Sequence, residues 1–280
     1  MIAATESEYR RFRDLARREL GLDWTRDKKY LIETRLGQRL EQLGMDSFSA
    51  YHKHLCGNGG PAELQYFFNT ITTTKTGFYR DSSDFDFFRQ EVLADLRKQV
   101  GFAPHGAIRL WSAGCSSGEE PFTLAFETLE GMVPLSKQEP SLDLRILGSD
   151  INTDMLAIGE DALYLDQQME GLPLPIRKKY FKPTRGNGRT AWQVASNVRS
   201  KVDYRHFNLF DRRYPIATKF QVIFFRNVLY YLDRSLRQPL LDRLVNCLAP
   251  GGWLFLGKVE AGYSMVGMKK IHTNIFHKTP

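Results

Sequence analysis

The stretch LWSAGCSSGEEP at residues 110–121 decides how the chain is read. Its apolar opening reads as a strand, Gly114 and Gly118 as a loop, and Pro121 as the first turn of a helix, where a missing N–H costs nothing. Outward from it the chain alternates. AIRLWSAGC (107–115) is a strand and turn, GEEPFTLAFETLEG (118–131) a helix, LRILGSD (144–150) a strand ending in Asp150, and NTDMLAIGEDALY (152–164) a helix. KVDYRHFNL (201–209) and the apolar KFQVIFFRN (219–227) follow as strands, DRSLRQPLLDRLVNCLAPGG (233–252) as a helix and stop, and WLFLG (253–257) as a strand. This alternation predicts an α/β fold: a mostly parallel sheet covered on both faces, with ligands at the carboxyl ends of its strands.

The loop narrows the ligand. A dinucleotide site would read GxGxxG and a P-loop would end in GK[ST], each placing a phosphate on the helix start. Here the loop is GCSSGEE, and Glu119 and Glu120 would repel a phosphate. An acid pair at a helix start can be plain complementation of the helix dipole. Taken with Asp150, placed where a ribose diol can be gripped, the acids suit a nucleoside that carries positive charge and no phosphate, which is S-adenosylmethionine. LAPGGWLFLG, followed by the strand-like NIFHKT (274–279), resembles the end of a class I methyltransferase sheet, with a final antiparallel strand.

Composition excludes other classes. The 280 residues are 42% hydrophobic and 25% charged, an ordinary globular make-up that suits one main domain and a smaller partner. No apolar run approaches the roughly 20 residues that cross a bilayer, and MIAATESEYRRFR has no apolar secretory core, so the chain is expected in the cytoplasm without membrane insertion. Cys56, Cys115 and Cys247 are an odd, scattered set, so neither disulfides nor a metal site is expected. The net charge of +7 favours an acidic partner. Residues before CGNGGP (56–61) read as helices: Phe12, Leu15 and Leu20 share one face, and Tyr30, Leu31, Leu36, Leu40 and Leu43 form a second stripe after a start signal at Asp27. Ser47 caps a third helix and Pro61 opens a fourth. Basic residues such as Arg10, Arg17, Lys28, Arg35 and Arg39 on these helices are a solvated surface or a docking face for an acidic partner. Aromatic rings do not interleave with them, so nucleic acid is not favoured.

Four segments together resemble the CheR-type methyltransferases, which esterify glutamates of bacterial chemotaxis receptors: ITTTKTGFYRD (71–81), LWSAGCSSGEEPFTLA (110–125), LGSDINTDMLAIGEDALY (147–164) and FQVIFFRNVLYYLD (220–233). The resemblance implies a small all-α domain over 1–72, a Rossmann-like class I S-adenosylmethionine-binding domain over 73–280, and a small antiparallel β-subdomain inserted at 173–200. It places Thr74, Thr76 and Arg80 beside the cofactor, with Thr74 standing where Asn is usual. It assigns Gly114 to the loop, Glu120 to the methionine end, Asp150 to the ribose, and Asn208, Leu209, Asn227 and Val228 to the adenine side. Arg80 and Tyr231 fall where the substrate carboxylate is oriented, and Cys115 is read as packing. GKVE (257–260) replaces the usual G-H-S-E. The turn TRGNGRT (184–190) predicts a hairpin in the inserted part, which in some members of the family binds a receptor tail peptide.

The implied activity is protein-glutamate O-methylation, with S-adenosyl-L-homocysteine as product and the cytoplasmic glutamate-rich helical region of chemoreceptors as partner. A carboxylate nucleophile is already ionised at neutral pH, which agrees with six histidines that all lie outside the motifs. The rival reading is a non-catalytic signalling module that retains the fold and binds cofactor or receptor peptide. A DNA amino-methyltransferase would need a Pro-Pro motif where this chain has RNVLYY.

Overall fold

The computed structural model describes residues 2–24, 29–100, 107–132, 142–186, 188–260 and 262–279. Four helices come first: α1 (Glu6–Leu20), α2 (Lys29–Gln42), α3 (Phe48–Cys56) and α4 (Gly60–Ile71). The Thr5 hydroxyl accepts the Glu8 N–H while Glu8 reaches back to the Thr5 N–H, a reciprocal cap that fixes where α1 starts. Ser47 caps α3 and Pro61 lies in the first turn of α4, as the sequence predicts. Phe12, Leu36, Phe48, Tyr51 and Phe67 close a core of their own. The stripe on α2 differs from expectation. Ile32, Leu36 and Leu40 are buried at i, i+4 and i+8, whereas Tyr30 is 62% exposed. The Asp27 start signal lies outside the described residues.

A segment with no expectation attached follows: α5 (Ser82–Phe87), a π-helical turn (Phe88–Val92) and α6 (Leu93–Val100). It buries Phe85, Phe88, Val92 and Leu96 on the sheet. Then come β1 (Ala107–Ala113), α7 (Glu119–Gly131), β2 (Asp143–Asp150), α8 (Thr153–Asp161), β3 (Leu163–Leu165), α9 (Leu174–Tyr180), β4 (Phe181–Gly186), β5 (Arg189–Val194) and α10 (Ser196–Arg199). The chain continues through β6 (Val202–His206), β7 (Phe220–Phe225), α11 (Arg234–Cys247), β8 (Leu248–Leu256), β9 (Met268–Lys270) and β10 (Ile275–Lys278).

The large sheet has the order β6-β2-β1-β7-β8-β10-β9. β6, β2, β1, β7 and β8 run parallel, and β10 is antiparallel to β8 as predicted. Successive side chains of a strand point to opposite faces, and the continuous apolar runs follow from this. Leu110, Val222, Phe224 and Phe255 enter the core on one face, and Trp111, Ile223, Phe225 and Leu254 the core on the other. Each such side chain contributes about 1.5–3 kcal/mol of burial. Strand order reverses between β1 and β7, and the crevice at their carboxyl ends is where this class of sheet takes ligands.

Two boundaries move. The helix expected to reach Tyr164 stops at Asp161, because Ala162 is left-handed at φ 51° and Leu163–Leu165 pairs with β5. Pro250–Gly252 is a bulge within β8, where the register with β7 shifts between Phe220 and Val222. The hairpin of β4 and β5 forms as expected, in a separate sheet of order β3-β5-β4. Among the described residues no helix is long and apolar enough to cross a membrane.

Candidate active site

The glycine loop between β1 and α7 is folded against the end of β2. Gly114 and Gly118 have φ of +78° and +93°, and Ser116 between them +50°. A Cβ on Gly114 would meet Val228 Cγ2 at 2.8 Å, and one on Gly118 the Tyr204 hydroxyl at 2.3 Å, so both positions need the bare backbone. The Gly114 and Cys115 N–H groups donate to the Ser149 carbonyl. The Ser116 N–H donates to Asp150 Oδ2 at 2.8 Å and the Asn152 N–H to Oδ1 at 2.9 Å. Burial pushes the Asp150 pKa up against these bonds. Each carboxylate oxygen keeps a lone pair to spare, so Asp150 can accept two hydroxyls at once, the contact a ribose diol makes.

The two glutamates at the helix start part company. Glu120 lines the cavity, accepting the Ser112 hydroxyl on Oε1 at 2.7 Å and Arg226 Nε on Oε2 at 2.8 Å. Glu119 is buried away from the cavity under the Ser117 hydroxyl, and burial raises its pKa. Arg226 had no assigned role. Its side chain is 1% exposed, and its Nη1 donates to Asp84 Oδ2 at 2.7 Å, while Asn274 Nδ2 donates to the other Asp84 oxygen. Two carboxylates about one guanidinium leave one net negative charge, and of the two carboxylates it is Glu120 that lines the cavity, beside Arg226. The signal in the sequence is an arginine ending an apolar strand, since a buried charge needs a partner.

The segment after α4 brings Thr73, Lys75, Thr76, Gly77 and Arg80 to the cavity wall. Thr74 is not among those wall residues: with Thr73 and Lys75 it lines a shallow depression beside Arg35, Asn69 and Asp154, and its carbonyl accepts the Ser116 hydroxyl at 3.0 Å. Tyr79 and Asp81, on either side of Arg80, both have left-handed φ, 53° and 56°. Such backbone costs about 1–3 kcal/mol per residue and persists where its surroundings hold it. The Tyr79 hydroxyl is held by Glu127, which also pairs with Arg89. Tyr231 lines the cavity across from this segment and accepts a hydrogen bond from Tyr230.

Asn208, Leu209, Asn227 and Val228 also line the cavity. Asn208 does structural work there, donating to the Glu19 carbonyl and accepting the Phe210 N–H. Asn227 is left-handed at φ 60°. Its loop closes on Glu260, a buried carboxylate that accepts the backbone N–H groups of Tyr230 and Gly257. In GKVE, therefore, Glu260 is structural, while Val259 is 76% exposed. The helical cap supplies a wall that the motifs did not announce: Leu20, Leu22, Trp24 and Leu31. It is tied down by Asp23 N–H to the Tyr231 carbonyl, Asp233 N–H to the Gly21 carbonyl, and the Arg17–Asp233 ion pair. Gly21, left-handed at φ 63°, leaves the space that the Phe210 ring fills.

The donor set fits S-adenosylmethionine. Asp150 offers a diol grip, Glu120 faces the place where an ammonium would sit, and apolar Leu209, Phe207 and Val228 provide surface for a base. The comparisons with known proteins bear on the same residues. The chain matches the model of the CheR methyltransferase all-alpha domain over residues 7–72 and that of the CheR methyltransferase SAM binding domain over 74–276. It is 34% identical over 91% of its length to chemotaxis protein methyltransferase 2 of Pseudomonas aeruginosa, covering 87% of that protein. Against chemotaxis protein methyltransferase 2 of Vibrio cholerae the identity is 32% over 99% of the chain and 90% of the relative, and against the Borreliella burgdorferi chemotaxis protein methyltransferase 30% over 92% and 89%. Relatives named for the transfer itself, aligned along nearly the whole chain, favour catalysis over a signalling module. A cleft built for a cationic nucleoside under a helical cap thus agrees with both family models, and the chain belongs to the CheR methyltransferases, S-adenosylmethionine-dependent enzymes of chemotaxis.

Proposed function

We propose that the chain methylates glutamate side chains of chemoreceptor cytoplasmic helices in the cytoplasm, giving methyl esters for sensory adaptation. One observation carries the reading: the cavity that holds Glu120 and Asp150 also holds Arg80 and Tyr231, and among the described residues no histidine lines it. Bound S-adenosylmethionine supplies an electrophilic methyl on a sulfonium. Asp150 holds the ribose hydroxyls and Glu120 the ammonium; Thr76, Asn208, Leu209, Asn227 and Val228 contact the rest, and Thr74 supports the loop through its carbonyl. Arg80 presents donors to a substrate carboxylate, and Tyr231 a hydroxyl. A carboxylate needs no base, so the protein's task is alignment, an effect worth about 7–11 kcal/mol of barrier. Cys115 lines the cavity too, but burial, with Asp150 and Glu120 nearby, holds its thiol protonated, which suits direct transfer.

On the same reading the domains divide at 72/73, and the part inserted at 173–200 offers β4, an edge strand, to an extended receptor tail peptide. The basic helices of the cap speed the encounter with an acidic partner. The test is incubation with methyl-labelled S-adenosylmethionine and receptor cytoplasmic fragments. Label that leaves the fragment as methanol in mild base identifies a carboxyl ester. Base-stable label, or none on a folded cofactor-binding enzyme, refutes the substrate reading.

A further inference from the structure

Tyr230 is not part of the cavity wall, yet its side chain is tied to two residues that are. Arg80 and Tyr231 line the cavity. The Tyr230 hydroxyl donates to the Tyr231 hydroxyl at 2.8 Å, and the two rings lie 4.0 Å apart between centroids. Arg80 Nη1 donates to the Lys75 carbonyl at 2.6 Å, and the positive charge of Arg80 acts on the Tyr230 phenol. A guanidinium carries donors only, whereas a phenol oxygen both donates and accepts. Tyr230 uses its own proton on Tyr231, and Tyr231, with its oxygen already accepting, has its O–H left for the cavity. Desolvation, then the bond to Tyr231, pushes the Tyr230 pKa up to about 12. The phenol thus keeps the proton it donates at any pH near neutrality.

We propose that Tyr230 is a positioning residue for methyl transfer: by donating to the Tyr231 oxygen it aims the Tyr231 proton into the cleft, at the carboxylate oxygen that does not attack. This rests on the glutamate reading above. The attacking oxygen gains the bond to the methyl as the S–C bond breaks with its electron pair to sulfur, and the second oxygen becomes the ester carbonyl. No proton changes hands, and Tyr231 keeps its own. A donor on the second oxygen sets the plane of the carboxylate and leaves the attacking lone pair unencumbered. Without Tyr230 the Tyr231 hydroxyl can rotate and present its oxygen to the carboxylate instead.

The experiment is a double-variant cycle of Tyr230→Phe, Tyr231→Phe and the pair, reading kcat/KM for a receptor cytoplasmic fragment, with S-adenosylmethionine affinity measured by calorimetry on the same samples. Tyr230→Phe is expected to lower kcat/KM about 3- to 10-fold, the size of one hydrogen bond, with cofactor affinity unchanged. On the Tyr231→Phe background it should do nothing further. Additive losses in the pair, or a fall in cofactor affinity matching the fall in kcat/KM, would make Tyr230 a packing residue and overturn the proposal. An active wild type with an unaffected Tyr230→Phe removes the proposal alone. A wild type that binds cofactor and transfers nothing to the fragment removes the substrate reading and the proposal together.

Discussion

Arg226→Met tests whether the charge facing the cofactor is set by a buried network. In the wild type the guanidinium bonds Glu120 at 2.8 Å and Asp84 at 2.7 Å with 1% of its side chain exposed, and it packs over the Phe85 and Phe224 rings at 4.9 and 5.4 Å. Deleting one partner of a buried ion pair costs roughly 3–5 kcal/mol, because the remaining charge is left without compensation. Methionine restores part of the contact with the two rings, so the low end, about 3 kcal/mol, is expected. At about 2–4 °C per kcal/mol for a chain of this size, the Tm should fall by roughly 6–12 °C. Asp84→Asn in the same chain removes one stranded charge and should recover about 1–2 kcal/mol. Thermal and urea denaturation followed by tryptophan fluorescence measure the change in Tm, the loss and its recovery. A loss below about 1 kcal/mol would refute the buried triad.

Three further outcomes are expected. Asp150→Ala should weaken S-adenosylmethionine and S-adenosylhomocysteine binding about 10- to 100-fold in calorimetric titration, as the loss of a charged acceptor of two hydroxyls requires; unchanged affinity would remove Asp150 from the site. Glu119→Gln should stabilise the protein by about 1 kcal/mol at neutral pH. Burial raises the folded pKa of Glu119 above its ordinary 4.5, so the group's favourable contribution is present below that value and is lost as pH rises through the folded one. The gain should thus vanish near pH 4.5, and a variant less stable than wild type at neutral pH would show that the charge itself is needed. Tyr204→Phe should raise stability by about 1 kcal/mol in thermal unfolding, because the buried Tyr204 hydroxyl has no hydrogen-bond partner among the described residues; a loss instead would mean that the hydroxyl has a partner in solution.

What could be read from the residues alone was whatever depends on local order along the chain. The period of apolar residues announced β1, β2 and β7, Pro121 and the two loop glycines placed the start of α7, and the acids after the loop pointed away from phosphate. These follow from backbone sterics, hydrogen-bond capacity and the sign of a charge, all properties of neighbours in sequence. The roles of individual side chains were decided by tertiary structure. Glu119 and Glu120 are adjacent and chemically identical, and only the rotation of α7 against the sheet turns one to the cavity and buries the other. Asp84, Glu120 and Arg226 become one charge system across 142 residues, and Leu20, Leu22 and Trp24 reach the cleft because α1 docks on the loops after β6 and β7. No local pattern encodes such a meeting: a side chain's partners are set by which elements pack together, and the energy that selects that packing belongs to the whole core.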